Sequence, residues 1–419
     1  MTRLRRWADW FQPGVGFKRW VLTLVIGVLV FAAAAFVGIS AIVSYDILES
    51  VGLGFLRGQY FVTGALAGVG VTLGLVAMYV GIRGLIRFGR GTPEGLETLR
   101  AQARLARGPR LVAIGGGTGL GALLGGLKHE TSNITAVVTV ADDGGSSGVL
   151  RRDMGVPPPG DIRSCLVALS DDESLLGRLF QYRFPEGGLH GHSFGNLFLA
   201  ALAEVTGDFE SAVKESGNVL KIRGRVLPAT LEDDLQLHAQ LEGGERVSGE
   251  SSITAAEHLP IRVWVTPADP PALPQAVEAI LEADLVVLGP GSLYTSIIPN
   301  LLIPNVRQAL EQTQARVVYV CNVMTQPGET DGYTAGDHVE ALLRHGAAGL
   351  LDAVLVSDTP VPEELTEAYR RLGAAPVAID ERRLARMGIP VVHGDVAAAG
   401  DLFRHDPPKL CAALMRLLG

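Results

Sequence analysis

The chain has 419 residues, a net charge of −8 and a mean hydropathy of +0.28. The length allows about two or three structural units, and the negative charge argues against nucleic acid as a partner. Cys165, Cys321 and Cys411 match no metal-binding spacing, so we expect buried, reduced thiols and no structural metal. The hydropathy is high for a soluble protein and points to a membrane part.

Two uncharged segments near the amino terminus predict a membrane hairpin. They run from Val21 to Val43 and from Phe61 to Ile82, and each exceeds the ~20 residues that a helix needs to cross the hydrocarbon core. A cleaved signal peptide fits the first segment poorly, because that segment is too long and a second one follows. Glycines of the second segment could let the helices pack closely or could be ordinary membrane-helix residues. These glycines are Gly64, Gly68, Gly70 and Gly74.

The basic residues around the hairpin predict its orientation. Arg and Lys concentrate before the first segment and after the second, whereas the loop between them, 44–60, has one Arg and two acids. Both termini are therefore expected in the cytoplasm, with the protein in the cell (inner) membrane as a multi-pass protein. The Arg-rich linker is expected along the inner leaflet. The predicted domains are a basic amino terminus (1–20), a hairpin (21–83), a juxtamembrane linker (84–109) and a globular domain (110–419).

From residue 110 onward, short apolar runs alternate with helical patterns and predict an α/β fold. Continuous apolar strands indicate a mostly parallel sheet covered on both faces, hence a doubly wound, Rossmann-like architecture. The polar, acidic stretch 211–259 is predicted to be an inserted antiparallel or loop-rich subdomain. Strands are predicted at 110–116, 134–140, 261–265, 284–289, 316–321 and 353–357, with weaker patterns at 377–380 and 390–393.

Two glycine-rich loops that follow predicted strands carry the first candidate binding residues. The GGGTGLGA segment fits the dinucleotide pattern G-x-G-x-x-G/A, in which backbone amides hold phosphate. TVADDGGSSG joins two carboxylates to a run of small residues whose amides form a second concavity for anions. Such carboxylates repel phosphate unless Mg²⁺ or ribose hydroxyls lie between, and they could instead serve as a cap and a turn acid. The candidates are Gly115, Gly116, Gly117, Thr118, Gly119, Asp142, Asp143, Gly144, Gly145 and Ser146.

Two further segments place polar residues at predicted helix starts. Asp161 is a predicted helix cap, and Arg163 just inside that helix could clamp an anion or lie on the surface. Asn196 begins an apolar helix and could bind a ligand or cap the helix. His190 and His192 lack metal spacing, and no carboxylate pair completes a triad. No catalytic residue is therefore predicted.

Two more loops follow strands near the carboxyl-terminal half of the domain. Gly291, Ser292 and Tyr294 follow one strand and suit a phosphate or sugar hydroxyls, with a turn and helix cap as the alternative. Asn322 follows the next strand. Because the carboxyl ends of parallel strands meet at one sheet edge, these loops together predict a large phosphorylated ligand.

Six motifs in this order resemble the gluconeogenesis-factor family of bacteria, which is related to the CofD phospholactate transferases. They are GGGTGL, TVADDGGSSG, PPGDIR, GHSFGNL, GPGSLYTSIIPNLL and CNVMTQPGETDGYT, and the resemblance spans about 110–419. The hairpin lies outside the usual pattern of that family.

The resemblance implies a Rossmann-like domain that binds a UDP-sugar such as UDP-N-acetylglucosamine. It also implies a role in carbon-source-dependent cell-wall synthesis and cell shape, with cell-wall synthesis proteins as possible partners. Among the loop residues above, it carries over the first two glycine loops, Asn196 and the Gly291 loop. It adds Tyr369 and Arg404 as contacts to the base or diphosphate.

Three function classes stay open. The first is a non-enzymatic nucleotide-sugar sensor at the membrane, and the second is a CofD-type transferase that uses Asp142 or Asp143 with Mg²⁺. The third is an NAD-dependent oxidoreductase, since Asp142 follows the dinucleotide pattern near the place where such enzymes hold ribose. We favour the sensor because no activated nucleophile or acid–base pair is evident. A homo-oligomer is expected, with no cofactor beyond the UDP-sugar and possible Mg²⁺.

Overall fold

The computed structural model describes residues 17–50, 57–89, 102–170, 175–400 and 402–418. Residues 1–16 of the predicted basic amino terminus and residues 90–101 of the predicted Arg-rich linker lie outside the described residues. The chain divides into two compact units, Met1–Arg104 and Leu105–Gly419.

Two long apolar helices form the first unit, as the sequence predicts. They are α1 (Phe17–Ser50) and α2 (Arg57–Gly89). Within them, Arg19–Ser44 and Val62–Gly84 have mean hydropathies of 2.7 and 2.0 and are long and apolar enough to cross a membrane. Large apolar side chains stay exposed along both helices, which is the surface that hydrocarbon would cover.

Small residues lie where α1 and α2 contact each other. A Cβ added at Gly74 would lie 2.7 Å from the backbone nitrogen of Phe31, and one added at Gly70 would lie 2.8 Å from the Ala34 Cβ. A larger side chain at either position would separate the helices. Gly64 and Gly68 have no such neighbour within 4 Å. The predicted packing role therefore holds for two of the four glycines.

A parallel sheet organises the second unit. Its strands are short apolar runs in which nearly every residue is buried, because helices cover both faces. In chain order, the strands of the described residues are β1 (Leu111–Gly115), β2 (Ile134–Val138), β3 (Arg225–Pro228), β4 (Gln236–Leu241), β5 (Arg246–Ser248), β6 (Pro260–Thr266), β7 (Leu285–Leu288), β8 (Arg316–Val320), β9 (Ala353–Ser357), β10 (Val391–Gly394), β11 (Ala397–Ala399) and β12 (Phe403–His405).

The helices of the second unit alternate with these strands. They are α3 (Gly117–Leu127), α4 (Gly145–Met154), α5 (Gly160–Leu169), α6 (Leu175–Gln181), α7 (Phe194–Thr206), α8 (Phe209–Leu220), α9 (Glu250–Thr254), α10 (Pro274–Leu281), α11 (Ile298–Leu301), α12 (Pro304–Gln312), α13 (Ala335–Leu342), α14 (Glu363–Arg371), α15 (Glu381–Arg386) and α16 (Pro407–Met415).

The seven parallel strands have the order β10-β9-β8-β7-β1-β2-β3. Side chains of β1 alternate between two cores, with Val112 and Ile114 in one and Leu111 and Ala113 in the other. The strand order reverses between β1 and β7, so a crevice is expected at their carboxyl ends. The predicted doubly wound α/β fold is confirmed.

Two strand predictions need correction, and the edge strand β3 was missed. The predicted strand 261–265 exists as β6, but it lies in a separate antiparallel sheet of order β5-β4-β6. Residues 377–380 form no strand, and Ala378 makes only an isolated bridge to Thr334. The edge strand β3 was not predicted, because its four residues stand among polar neighbours.

The stretch 211–259 contains the predicted antiparallel element only in its second half. Helix α8 packs against the main sheet, and β3 belongs to that sheet. The separate antiparallel sheet runs from Gln236 to Thr266. Glu210 and Glu215 make the exposed side of α8 acidic, so composition alone grouped this helix with the acidic segment 232–257.

Candidate ligand site

A cavity of about 460 Å³ opens where the strand order reverses, beside the loops that follow β1, β7 and β8. This volume and position are typical of a small-molecule site in a doubly wound fold. The lining residues are Gly116, Gly117, Thr118, Gly119, Ala122, Asp161, Glu250, Pro290, Gly291, Ser292, Ser296, Asn322, Val323, Met324, Gln326, Phe403, Arg404 and His405.

The amino terminus of α3 forms one wall of the cavity. Gly116 precedes the helix and provides no side-chain cap. The Gly117 N–H donates to Asp161, whereas the next amides, of Thr118 and Gly119, have no partner within the helix. Free amides and the positive end of the helix dipole suit an anionic group such as phosphate.

Glycines allow the loops after β1 and β7 to touch. A Cβ added at Gly119 would lie 2.6 Å from the Pro290 carbonyl oxygen and 2.9 Å from the Gly291 Cα. A Cβ added at Gly116 would lie 2.4 Å from an Asp161 carboxylate oxygen. Side chains at these positions would push the walls of the cavity apart. Gly115, by contrast, ends β1 and does not line the cavity.

The opposite wall comes from the loops after β7 and β8. Ser292 Oγ donates to Gln326 Oε1 at 2.7 Å, and Asn322 Nδ2 donates to the Gly291 carbonyl at 2.9 Å. The predicted residues Gly291, Ser292 and Asn322 thus meet in one wall. Gln326 was not predicted, although it lies in the quoted CNVMTQPGETDGYT motif.

Tyr294 is a correction to the predicted site. Its side chain is fully buried, and its hydroxyl lies 2.9 Å from the Tyr333 hydroxyl. The ring packs in the apolar core on one face of the sheet. It is therefore not placed to stack on a bound base.

Asp161 and Glu250 line the cavity, and the charge of Asp142 contributes to the raised pKa of each. Burial and the charge of Asp142 raise the pKa of Asp161 to about 7, although Arg163 and the Gly117 N–H act in the opposite direction. Burial, followed by the charges of Asp142 and Asp161, raises the pKa of Glu250 to about 9. At neutral pH, Glu250 is protonated and Asp161 is partly so. A phosphate in the cavity would meet less repulsion than the number of acids suggests.

The two neighbouring carboxylates Asp142 and Asp143 have different partners. Asp143 Oδ1 accepts from the backbone N–H and from the hydroxyl of Ser251, each at 2.9 Å, and so ties the loop after β2 to α9. Asp142 Oδ1 accepts from the Gly144 N–H at 2.8 Å. Neither residue lines the cavity. Asp143 serves as a structural link, and Asp142 influences the site through its charge.

The other predicted residues of the second loop gather at the start of α4, outside the cavity lining. These are Gly144, Gly145 and Ser146. Ser146 Oγ lies 3.0 Å from His192 Nδ1 and accepts from Asn196 Nδ2 at 3.2 Å.

Two buried polar atoms near this helix start lack a hydrogen-bond partner among the described residues, namely Asn196 Oδ1 and Arg163 Nε. Burial and then the charge of Arg183 lower the pKa of Arg163. Arg163 packs beside Gly195, where an added Cβ would lie 2.8 Å from the Arg163 Cδ. Arg163 and Asn196 therefore lie together, but not in the wall of the cavity.

The carboxyl-terminal hairpin β11–β12 closes one side of the cavity. Arg404, a predicted ligand contact, lines it with an exposed side chain. Tyr369 is a correction: its hydroxyl donates to the Phe403 carbonyl and accepts from the Phe403 N–H, both at 3.1 Å, so it anchors β12. His405 was not predicted. Its Nε2 has no hydrogen-bond partner among the described residues, and burial lowers its pKa to about 4.

Comparison with known proteins adds to this geometry. The model of the family "2-phospho-L-lactate transferase CofD" matches residues 111–397. The gluconeogenesis factor of Bacillus subtilis is 50% identical over 312 residues, which are 74% of this chain and 98% of its own length. The chain belongs to the gluconeogenesis factor family, within the wider CofD family.

Two other relatives define how much of the chain is shared. A crystal structure of a UPF0052 family member from Bacillus halodurans is 48% identical, with a TM-score of 0.71, and covers 73% of this chain and 99% of its own. A relative from Nostoc sp. is 46% identical over 430 residues and covers 100% of this chain and 94% of its own length. The expectation that the hairpin region departs from the family is therefore wrong for the Nostoc relative.

Proposed function

We propose that the protein is a membrane-anchored regulator that binds a nucleotide sugar and links carbon metabolism to cell-wall synthesis and cell shape. The observation that carries the proposal is the cavity with two chemically different walls. The amino-terminal amides of α3 and Arg404 suit a diphosphate, and the hydroxyl and amide groups across from them suit a sugar or base. A UDP-sugar such as UDP-N-acetylglucosamine combines these groups. The name of the Bacillus subtilis relative, gluconeogenesis factor, supports a role in carbon metabolism.

A CofD-type transferase is the second candidate. The match to the phospholactate transferase family favours it, and Asp161 and Glu250 in the cavity would have to hold Mg²⁺ against the diphosphate. The two candidates differ in metal dependence and turnover. Binding by a regulator needs no metal and leaves the ligand intact.

Calorimetric titration of the detergent-solubilised protein with UDP-sugars, GDP, GTP and NAD, with and without Mg²⁺, tests the proposal. We expect a UDP-sugar to bind best, without Mg²⁺, and to be recovered unchanged by mass spectrometry. Arg404→Gln should weaken binding by about 10-fold to 150-fold, since it removes a charge-assisted hydrogen bond of ~1.5–3 kcal/mol. Arg370→Gln, on α14 outside the cavity lining, is the matched control. Metal-dependent consumption of the nucleotide would support the transferase instead.

The proposed anchor has its own test. With both termini in the cytoplasm, a cysteine introduced at Ser50 should react with a membrane-impermeant reagent in intact cells, whereas one introduced at Arg100 should react only after lysis. The native thiols Cys165, Cys321 and Cys411 are buried and should give little background. Labelling at position 100 in intact cells would reverse the proposed topology.

A further inference from the structure

One buried carboxylate sets the direction of a hydrogen-bond chain that ends in the cavity wall. The Glu329 side chain is fully buried. It accepts from Thr295 Oγ1 at 2.8 Å, from the Tyr294 N–H at 3.3 Å and from Gln326 Nε2 at 3.1 Å. When ionised, this carboxylate can only accept, so each of these neighbours then presents a donor to it.

This constraint fixes the orientation of the Gln326 amide. Its nitrogen must face Glu329, and its oxygen therefore faces the cavity, where it is 2.7 Å from Ser292 Oγ. The Gln326 backbone N–H is also held, since it donates to Thr330 Oγ1 at 2.8 Å. A flipped amide would place its oxygen against the carboxylate and is disfavoured.

The orientation of the Gln326 amide then sets the direction in which the Ser292 hydroxyl donates. A hydroxyl has one hydrogen, and Ser292 gives it to Gln326 Oε1. The half-buried Ser292 oxygen lines the cavity and can offer a ligand only lone pairs. A phosphate oxygen, which is itself an acceptor, gains nothing from such a group.

We infer that Ser292 is a specificity residue that recognises an O–H or N–H donor of the nucleotide sugar, with Glu329 and Gln326 setting its direction. This inference rests on the proposed function and divides the cavity. The diphosphate belongs at the amino terminus of α3, and a hydroxyl of the sugar or ribose, or an N–H of the base or acyl group, belongs at Ser292. The sequence alone left this loop open to phosphate or hydroxyl, and the buried chain behind it favours the donor.

Donor-deleted ligands test the inference. The full chain, in detergent at pH 8, above the pKa of about 7 that burial gives Glu329, is titrated with UDP-N-acetylglucosamine. The same is done with its 2′-deoxy, 3′-deoxy, 3-N-methyl and single hexose-deoxy analogues. Ser292→Ala should weaken binding of the parent ligand by about 3-fold to 10-fold, as expected for one neutral hydrogen bond. The analogue that lacks the donor recognised by Ser292 should bind Ser292→Ala and wild type with equal affinity, because it can form that hydrogen bond with neither protein.

A second variant tests the direction of the bond rather than its presence. Gln326→Met removes the acceptor that holds the Ser292 hydrogen. This variant should tolerate a fluoro analogue, which carries an acceptor in place of the donor, whereas wild type should reject it. The inference would be overturned if Ser292→Ala lost the same affinity for every analogue. It would also be overturned if Ser292→Ala weakened binding of UDP but not of UMP, because Ser292 would then contact the second phosphate. If wild type binds no UDP-sugar at all, the proposed function fails as well, which is a distinct result.

Discussion

Gly119→Val is expected to abolish nucleotide-sugar binding and to destabilise the second unit. A Cβ at this position would lie 2.6 Å from the Pro290 carbonyl oxygen and 2.9 Å from the Gly291 Cα. Both neighbours are backbone atoms, so no flexible side chain can yield. Overpacking of this kind costs about 1–3 kcal/mol and moves the two walls of the cavity apart. Urea unfolding and calorimetric titration with UDP-N-acetylglucosamine measure the two effects.

Gly125→Ala is the matched control on the same helix. A Cβ at Gly125 would meet nothing within 4 Å, and α3 continues through this position. Alanine should stabilise the helix by about 0.5–1 kcal/mol and leave ligand binding unchanged. If Gly119→Val bound the ligand as tightly as Gly125→Ala, the contact between the loops after β1 and β7 would not define the site.

Glu250→Gln is expected to make the protein more stable at alkaline pH. Burial and the nearby charges of Asp142 and Asp161 raise the pKa of Glu250 from 4.5 to about 9. Between these values the unfolded chain has lost a proton that the folded chain keeps. The free energy of unfolding of wild type therefore falls as pH rises from 4.5 to 9. Glutamine removes this dependence and should give a gain of roughly 1–4 kcal/mol at pH 8 that vanishes near pH 4.

The measurement is urea unfolding of Leu105–Gly419 from pH 4 to pH 9. The Bacillus halodurans structure, 99% of which aligns with 73% of this chain, shows that a relative without the first unit folds. Glu363→Gln on α14, whose residues are not buried, is the control and should follow wild type at every pH. A difference between Glu250→Gln and wild type that stays constant with pH would show that Glu250 titrates normally.

Sequence patterns alone determined the elements in which local chemistry dominates. Uncharged segments of more than ~20 residues predict helices long enough to cross a membrane, and both helices are present as α1 and α2. The continuous apolar runs became parallel strands because a sheet covered on both faces needs apolar residues at every position. The glycine run after β1 opens α3, since a tight turn into a helix needs backbone freedom at Gly117, where φ is +65°.

The tertiary structure alone decided which polar residues face the cavity. Asp143 and Tyr294 follow strands at the correct sheet edge, yet Ser251 and Tyr333 occupy their polar atoms. Glu250 enters from the antiparallel sheet region, and its raised pKa depends first on burial and then on the charge of Asp142, which is distant in sequence. A strand end places a residue near the site, but contacts between residues far apart in the chain decide whether its side chain points into the cavity or holds the walls. For Ser292, the direction of its single hydrogen is set by Glu329, a residue that the ligand never needs to touch.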